Sequence, residues 1–203
     1  MPIVPASPES IGRAVDVLRH GGVVAYPTDT LYGLAVDPRS AVAVARLFAL
    51  KERDAASAIP LIAASLEQAR EAGFFSDRHS RLAKSFWPGP LTIVLPAAEV
   101  IARELLGTGS TIALRVPAHP VAQALAARHG FCITSTSANR SGEPAATTAQ
   151  QVSNDLMNSI DLVLDGGPSP GGAPSTIVAI TGDGPRLVRA GAIAWDRVLE
   201  SLE

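Results

Sequence analysis

Gly21-Gly22-Val23-Val24-Ala25-Tyr26-Pro27-Thr28-Asp29-Thr30-Leu31-Tyr32-Gly33 changes character twice in thirteen residues. The two glycines stop a preceding helix, Val23 to Tyr26 reads as a short strand, and Pro27 to Gly33 as a hydroxyl-rich strand-to-loop segment. Polar groups directly after a strand occupy the edge where α/β sheets usually present ligand contacts. Two further signatures, Lys51-Glu52-Arg53 and Ser137-Ala138-Asn139, also fall where an apolar segment gives way to a loop. Together the three point to one polyanion-binding cleft assembled from distant parts of the chain.

Working outward, Ser7-Pro8 caps a helix with Ile11, Ala14, Val15 and Leu18 at helical spacing. Ser40 caps a second, with Val44, Leu47 and Phe48 as its core stripe and Lys51-Glu52-Arg53 as its last turn. Helices are predicted near 65–72, 77–86, 98–106, 119–129 and 147–158. Strands are predicted at 59–63, 91–95, 111–116, 131–134, 161–164, 175–180 and 186–189. The alternation implies an α/β fold with a twisted mixed sheet, flanking helices and a concave cleft, and the close late strands imply some antiparallel pairing. Residues 135–146 and 166–174 read as loops, the second from its glycine and proline content.

The 203 residues fit a single domain, 1–203. Hydrophobic residues make up 47% and charged residues 18%, which excludes a disordered chain. No apolar run approaches the roughly 18–20 residues of a membrane helix, and no secretory leader is visible, so the expected location is the cytoplasm. Cys132, the only cysteine, sits in the apolar run Phe131-Cys132-Ile133 and reads as a small buried hydrophobe. A net charge of −2 gives no whole-molecule footprint for nucleic acid. Of the 17 basic residues only Lys51 and Lys84 are lysines, so a lysine at position 51 is informative. Its compact charge suits a moving phosphate better than the rigid arginine fork.

Each polar cluster has two readings. Thr28, Asp29, Thr30 and Tyr32 form either a ligand edge or a turn that caps its own backbone. Lys51 and Arg53 either bind anions or complement a helix dipole. The loop from Ser135 to Gly142 is either turn chemistry or a phosphate cradle of neutral donors. Arg115, inside an apolar strand and on one face with Thr111 and Ala113, needs a carboxylate from the core or from a ligand. Arg189 poses the same question. The four histidines lack metal-binding spacing and there is neither a Cys-x-x-Cys pair nor an HExxH, so no protein-built zinc site is expected; with neither a P-loop nor a strand-linked GxGxxG, any nucleotide would be bound without those motifs.

From about Gly21 to Gly191 these motifs, in order, resemble the YrdC/Sua5 family, the threonylcarbamoyl-AMP synthases. The resemblance rests on residues 22–34, Lys51-Glu52-Arg53, Phe86-Trp87-Pro88-Gly89-Pro90-Leu91-Thr92 and Leu114-Arg115-Val116-Pro117. It continues through Ser137 to Gly142, Gly166-Gly167, Pro174 to Val178 and Arg189-Ala190-Gly191. It implies that L-threonine, bicarbonate and ATP give L-threonylcarbamoyladenylate and pyrophosphate, the first step of N6-threonylcarbamoyladenosine (t6A) formation on ANN-decoding tRNAs. Mg2+ would be bound mainly through the nucleotide phosphates. Lys51, Arg53, Ser137 and Asn139 match the family's catalytic phosphate-holding tetrad. Thr28, Tyr32, Arg115 and Ser175 align with threonine or carbamate contacts, and Thr111, Ser135 and Arg189 with further contacts to nucleotide or substrate.

Two departures accompany the resemblance. Many relatives carry a histidine where Ile59-Pro60-Leu61-Ile62-Ala63-Ala64 ends in alanine. The chain also ends at Glu203, as expected of the short YrdC form, which implies handover to a separate tRNA threonylcarbamoyl-transferase complex. Two other readings stand beside the synthase. One is an RNA-binding or ribosome-associated module contacting tRNA or double-stranded RNA. The other is a paralogue that handles a different carbamoyl adenylate.

Overall fold

The computed structural model describes residues 2–52, 59–107, 109–140, 142–156 and 159–203. In chain order its elements are β1 (Ile3–Pro5), α1 (Pro8–Arg19), β2 (Val24–Pro27), β3 (Tyr32–Ala35), α2 (Ala41–Lys51), β4 (Leu61–Ile62), α3 (Leu66–Ala72) and α4 (Asp77–Phe86). There follow β5 (Leu91–Pro96), a 3-10 turn (Arg103–Leu105), β6 (Thr111–Arg115), α5 (Pro120–His129), β7 (Ile133–Thr134), β8 (Thr136–Ser137) and α6 (Ala149–Asp155). The chain closes with β9 (Leu162–Asp165), β10 (Thr176–Thr181), β11 (Gly184–Arg189) and α7 (Trp195–Glu200).

Local chemistry sets the helix boundaries. The Ser7 and Ser40 hydroxyls accept the amides of Ser10 and Ala43 at 3.1 and 3.3 Å, and Pro8 supplies a preset first turn. Ser76 and His79 form a reciprocal capping pair at the start of α4. Gly130 ends α5 with a left-handed φ of 84°. Helix α2 stops at Lys51 because Glu52 turns left-handed, so of the predicted last turn Lys51 is helical and Glu52 is not, while Arg53 lies outside the described residues.

The expected α/β class with mixed pairing and helical layers is present, but the strands divide between two mixed sheets. One has the order β1-β9-β2-β3-β8, the other β11-β10-β5-β6-β4-β7. Strand β2 is buried throughout, and its period of two sends Val24 and Tyr26 toward α1 and α5, and Ala25 toward the larger core. Residues 133–137 pass from the second sheet to the first through Ser135, whose amide donates to Pro60 O at 2.7 Å. No described helix is long and apolar enough to cross a membrane.

Four expectations change. Tyr32–Ala35 is a strand, pairing antiparallel with β2 from Pro27↔Tyr32 to Val24↔Ala35. Thr136–Ser137, within the predicted loop, pairs with Gly33 and Leu34. The helix predicted at 98–106 reduces to the 3-10 turn, because the amides of Ala98 and Ala102 donate to Ala72 O and Pro38 O, each at 2.9 Å. Predicted helix 147–158 is Ala149–Asp155, and positions 157 and 158 lie outside the described residues.

Candidate active site

The second sheet presents one end to the first. There β4 and β6 finish, β5 and β10 begin, and β11 returns; Ile62 pairs with Arg115, and Ile177 with both Thr92 and Arg189. Facing it are the turn between β2 and β3 and the short strand β8. Between them lies a cavity of about 400 Å3. Thr28, Tyr32, Arg115, Ser135, Ser137, Ser175 and Arg189, all expected from the sequence, line it together with Thr92 and the Pro60–Ile62 segment.

Arg115 is buried, and its charge needs compensation. Its Nε donates to Gly89 O at 2.9 Å and its Nη2 meets Asp29 Oδ1. Asp29 was not among the predicted contacts. An arginine inside an apolar strand signals a required carboxylate, yet nothing in the sequence selects the residue that supplies it. Arg189 makes a parallel arrangement: its Nε and Nη2 donate to Ser175 O at 3.3 and 2.8 Å, and Nη2 also reaches Ser175 Oγ at 3.1 Å. Partial burial and the like charge of Arg115 lower the Arg189 guanidinium from its usual value, so the two cations feel one another. Each thus spends Nε and Nη2 on the protein, and each Nη1 is without a protein acceptor among the described residues.

The hydroxyls are held firmly. Thr28 Oγ1 donates to Leu31 O at 2.6 Å and accepts from the amides of Thr30 and Leu31, each at 3.2 Å. Thr28 therefore caps its own turn and faces the cavity at once. Tyr32 Oη donates to Gly167 O at 2.8 Å, and burial, reinforced by the charge of Asp165, pushes its hydroxyl up to about 12. Ser175 Oγ and Thr92 Oγ1 share a 2.8 Å hydrogen bond. The loop 166–174 straps the turn, Gly171 N donating to Thr30 O at 2.9 Å.

Of the expected phosphate-holding four, three come together. Lys51 Nζ, buried, donates to Ser137 O, Asn139 O and Asn139 Oδ1 at 2.7, 2.6 and 2.8 Å. Ser137 Oγ donates to Asn139 Oδ1 at 2.6 Å, and Asn139 Nδ2 to Glu143 O at 2.5 Å. Lysine thereby ties the end of α2 to the loop after β8. Ser137 reaches the cavity wall, whereas Lys51 and Asn139 stand behind it. Arg53 lies outside the described residues.

Thr111 starts β6, four residues from Arg115 on the same face and about 13 Å away along the strand, outside the cavity lining. Ala64, where many relatives were expected to carry histidine, packs against the smaller core rather than the cavity. Cys132 is buried, and burial pushes its thiol up to about 12, in keeping with a small core residue rather than a nucleophile.

Comparison with known proteins gives this geometry a lineage. The family model Sua5/YciO/YrdC, described as "Telomere recombination", matches residues 16–191. A threonylcarbamoyl-AMP synthase of Vibrio cholerae is 42% identical over 173 residues, covering 83% of this chain and 92% of the relative. One of Pyrococcus abyssi is 38% identical over 186 residues, which are 91% of this chain but only 55% of that protein. The crystal structure of P. abyssi Sua5 complexed with L-threonine superposes with a TM-score of 0.94 at 35% identity, covering 100% of this chain and 61% of that one. Escherichia coli YciO superposes at 0.83 with 30% identity, covering 93% and 92%. Against the Pyrococcus relative the chain thus spans about half the length, and against the Vibrio relative nearly all of it. With the family model matched across the two sheets and the cavity between them, this chain belongs to the Sua5/YciO/YrdC family.

Proposed function

We propose that this chain synthesises L-threonylcarbamoyladenylate from L-threonine, bicarbonate and ATP, releasing pyrophosphate. The observation that carries the reading is the cavity lined by two arginines, Arg115 and Arg189, among hydroxyls already fixed by the protein. Support comes from family membership, from relatives named threonylcarbamoyl-AMP synthase, and from similarity to a Sua5 bound to L-threonine.

Threonine's amine takes up bicarbonate to give a carbamate and water. A carbamate oxygen then attacks the α-phosphorus of ATP, and pyrophosphate leaves. No covalent enzyme intermediate is required, so the protein's task is to align two anions and stabilise charge on the transferring phosphoryl. Arg115 takes the threonine carboxylate, with Thr28, Tyr32 and Ser175 shaping the surrounding wall. Arg189, Ser135 and the loop carrying Ser137 and Asn139 meet the nucleotide, Lys51 holding that loop in place, and Arg53 completes the set. Thr111, farther along β6, suits an extended nucleotide that reaches beyond the cavity. Mg2+ enters with the triphosphate. Its oxygen-seeking, octahedral preference suits phosphate oxygens and water. The adenylate then passes, in the cytoplasm, to a separate tRNA threonylcarbamoyl-transferase complex.

The test is mass spectrometry of products from protein incubated with ATP, Mg2+, bicarbonate and threonine, with each omitted in turn. A threonylcarbamoyl-AMP peak that needs all components is expected. Folded, ATP-binding protein that yields no adenylate would refute the reading.

A further inference from the structure

We infer that Asp29 is a positioning residue that aims the Arg115 guanidinium at the carboxylate of the amino-acid substrate. The inference rests on the proposed synthase reading and adds a residue to it. Asp29 sits in the turn between β2 and β3, its side chain 16% exposed, and lies outside the cavity lining, so it does not meet the ligand itself. Its Oδ1 meets Arg115 Nη2 while its Oδ2 accepts the Ala118 amide at 3.2 Å. One carboxylate thus joins the turn after β2, the end of β6 and the segment leading into α5.

The guanidinium geometry gives this consequence. A planar fork hydrogen-bonded at Nε to Gly89 O and in ion-pair contact at Nη2 with Asp29 is restrained at two points, which limits the directions open to its remaining nitrogen. Without Asp29, Arg115 would be held only by the Gly89 carbonyl and would lean away from the like charge of Arg189. The carboxylate also offsets one of the two cations bordering the cavity, which suits a substrate offering a single carboxylate. The nucleotide contacts proposed around Ser137 and Asn139 involve neither Asp29 nor its partners.

The experiment compares wild type, Asp29→Asn, Asp29→Glu, Arg115→Gln and the Asp29→Asn/Arg115→Gln pair. Calorimetric titrations with L-threonine and with Mg·ATP are read beside the KM values for both substrates and kcat. Asp29→Asn should weaken threonine binding by about tenfold or more, the effect of one mis-aimed charge-assisted hydrogen bond. ATP affinity should change by less than about twofold, because the nucleotide groups do not touch Asp29. In the Arg115→Gln background the same substitution should cost little more. Asp29→Glu, which keeps the charge but moves it, should fold and fall between wild type and Asp29→Asn for threonine alone.

A purely structural role would lower affinity for both ligands together, or give additive losses in the double variant, and either result overturns the assignment. So does unchanged threonine binding in Asp29→Asn and Asp29→Glu. Failure of the wild type to bind threonine would instead overturn the functional reading itself.

Discussion

Replacing Lys51 by methionine keeps most of the side chain's volume and removes only the ammonium. The structure gives that ammonium three acceptors at 2.6–2.8 Å in a site 3% exposed, so three oxygens of the Ser137–Asn139 loop each lose one donor at once, although Ser137 O keeps the Asn139 amide and Asn139 Oδ1 the Ser137 hydroxyl. Hydrogen bonds to charged groups contribute about 1.5–3 kcal/mol each, and a buried acceptor left unpaired costs about 1–3 kcal/mol. The three share one ammonium and do not add. Rearrangement of the loop and entry of water recover part of the loss, so a total of about 3–5 kcal/mol is expected. For a chain of this length that is a fall in Tm of roughly 6–20 °C. Urea unfolding of wild type, Lys51→Met and Lys51→Arg, with adenylate formation measured in parallel, reads both consequences. Lys51→Arg should recover little, because a planar fork cannot converge on three oxygens grouped around one point. Activity of Lys51→Met should remain low even at temperatures where the protein is fully folded. A Lys51→Met protein within about 1 kcal/mol of wild type would refute the argument, since it would mean the loop holds its shape without the ammonium.

Gly191→Ala should destabilise the fold by about 1–3 kcal/mol and raise the KM for threonine, because a Cβ there would lie 2.2 Å from Pro174 O and 2.5 Å from the Ser175 carbonyl carbon; a crystal structure or thermal melt checks the displacement. Cys132 ties stability to alkaline pH. Its folded-state value is raised from 9.0 to about 12, so its contribution is fully present below pH 9 and lost progressively as pH rises toward 12. Cys132→Ala should flatten that limb in pH-dependent denaturation, and thiol labelling of the wild type should follow unfolding. Asp37 acts at the opposite end. Burial would raise its carboxyl, but hydrogen bonds from His129 and Arg39 outweigh that and hold it well below the usual range. Its contribution is present above about pH 3.8 and lost as pH falls below that, so Asp37→Asn should narrow the acid stability difference between variant and wild type.

Helix starts were legible because their causes are local. Ser7, Ser40 and Ser76 each cap through an amide three residues on, and Pro8 adds a preset φ. The misplaced elements depend on partners far away in sequence. Tyr32–Ala35 is buried on both faces, so no polar alternation marks it, and its first residue belongs to a turn-like motif. Residues 98–106 lack a helix because Ala72 and Pro38 compete for the amides it would need. The site follows the same division. Arg115 and Arg189 could be located as charges that required partners, but the choice of Asp29 for one and the Ser175 carbonyl for the other depends on the pairing of the two sheets.

The two readings of the polar clusters prove not to compete. Thr28 caps its own turn, Ser175 is shared with Thr92 and Arg189, and Lys51 is spent on the Ser137–Asn139 loop, yet these contacts are what give the cavity its fixed walls. A hydroxyl already bonded to its own backbone has little freedom left to lose when a ligand arrives, and a guanidinium restrained at two nitrogens has fewer directions open to its third. The protein's internal hydrogen bonds therefore do the ordering before substrate enters. It follows that substitutions outside the lining, at Asp29, Lys51 or Gly191, should impair the reaction about as much as substitutions of the lining residues they hold, and each should do so through the ligand group its own partner serves.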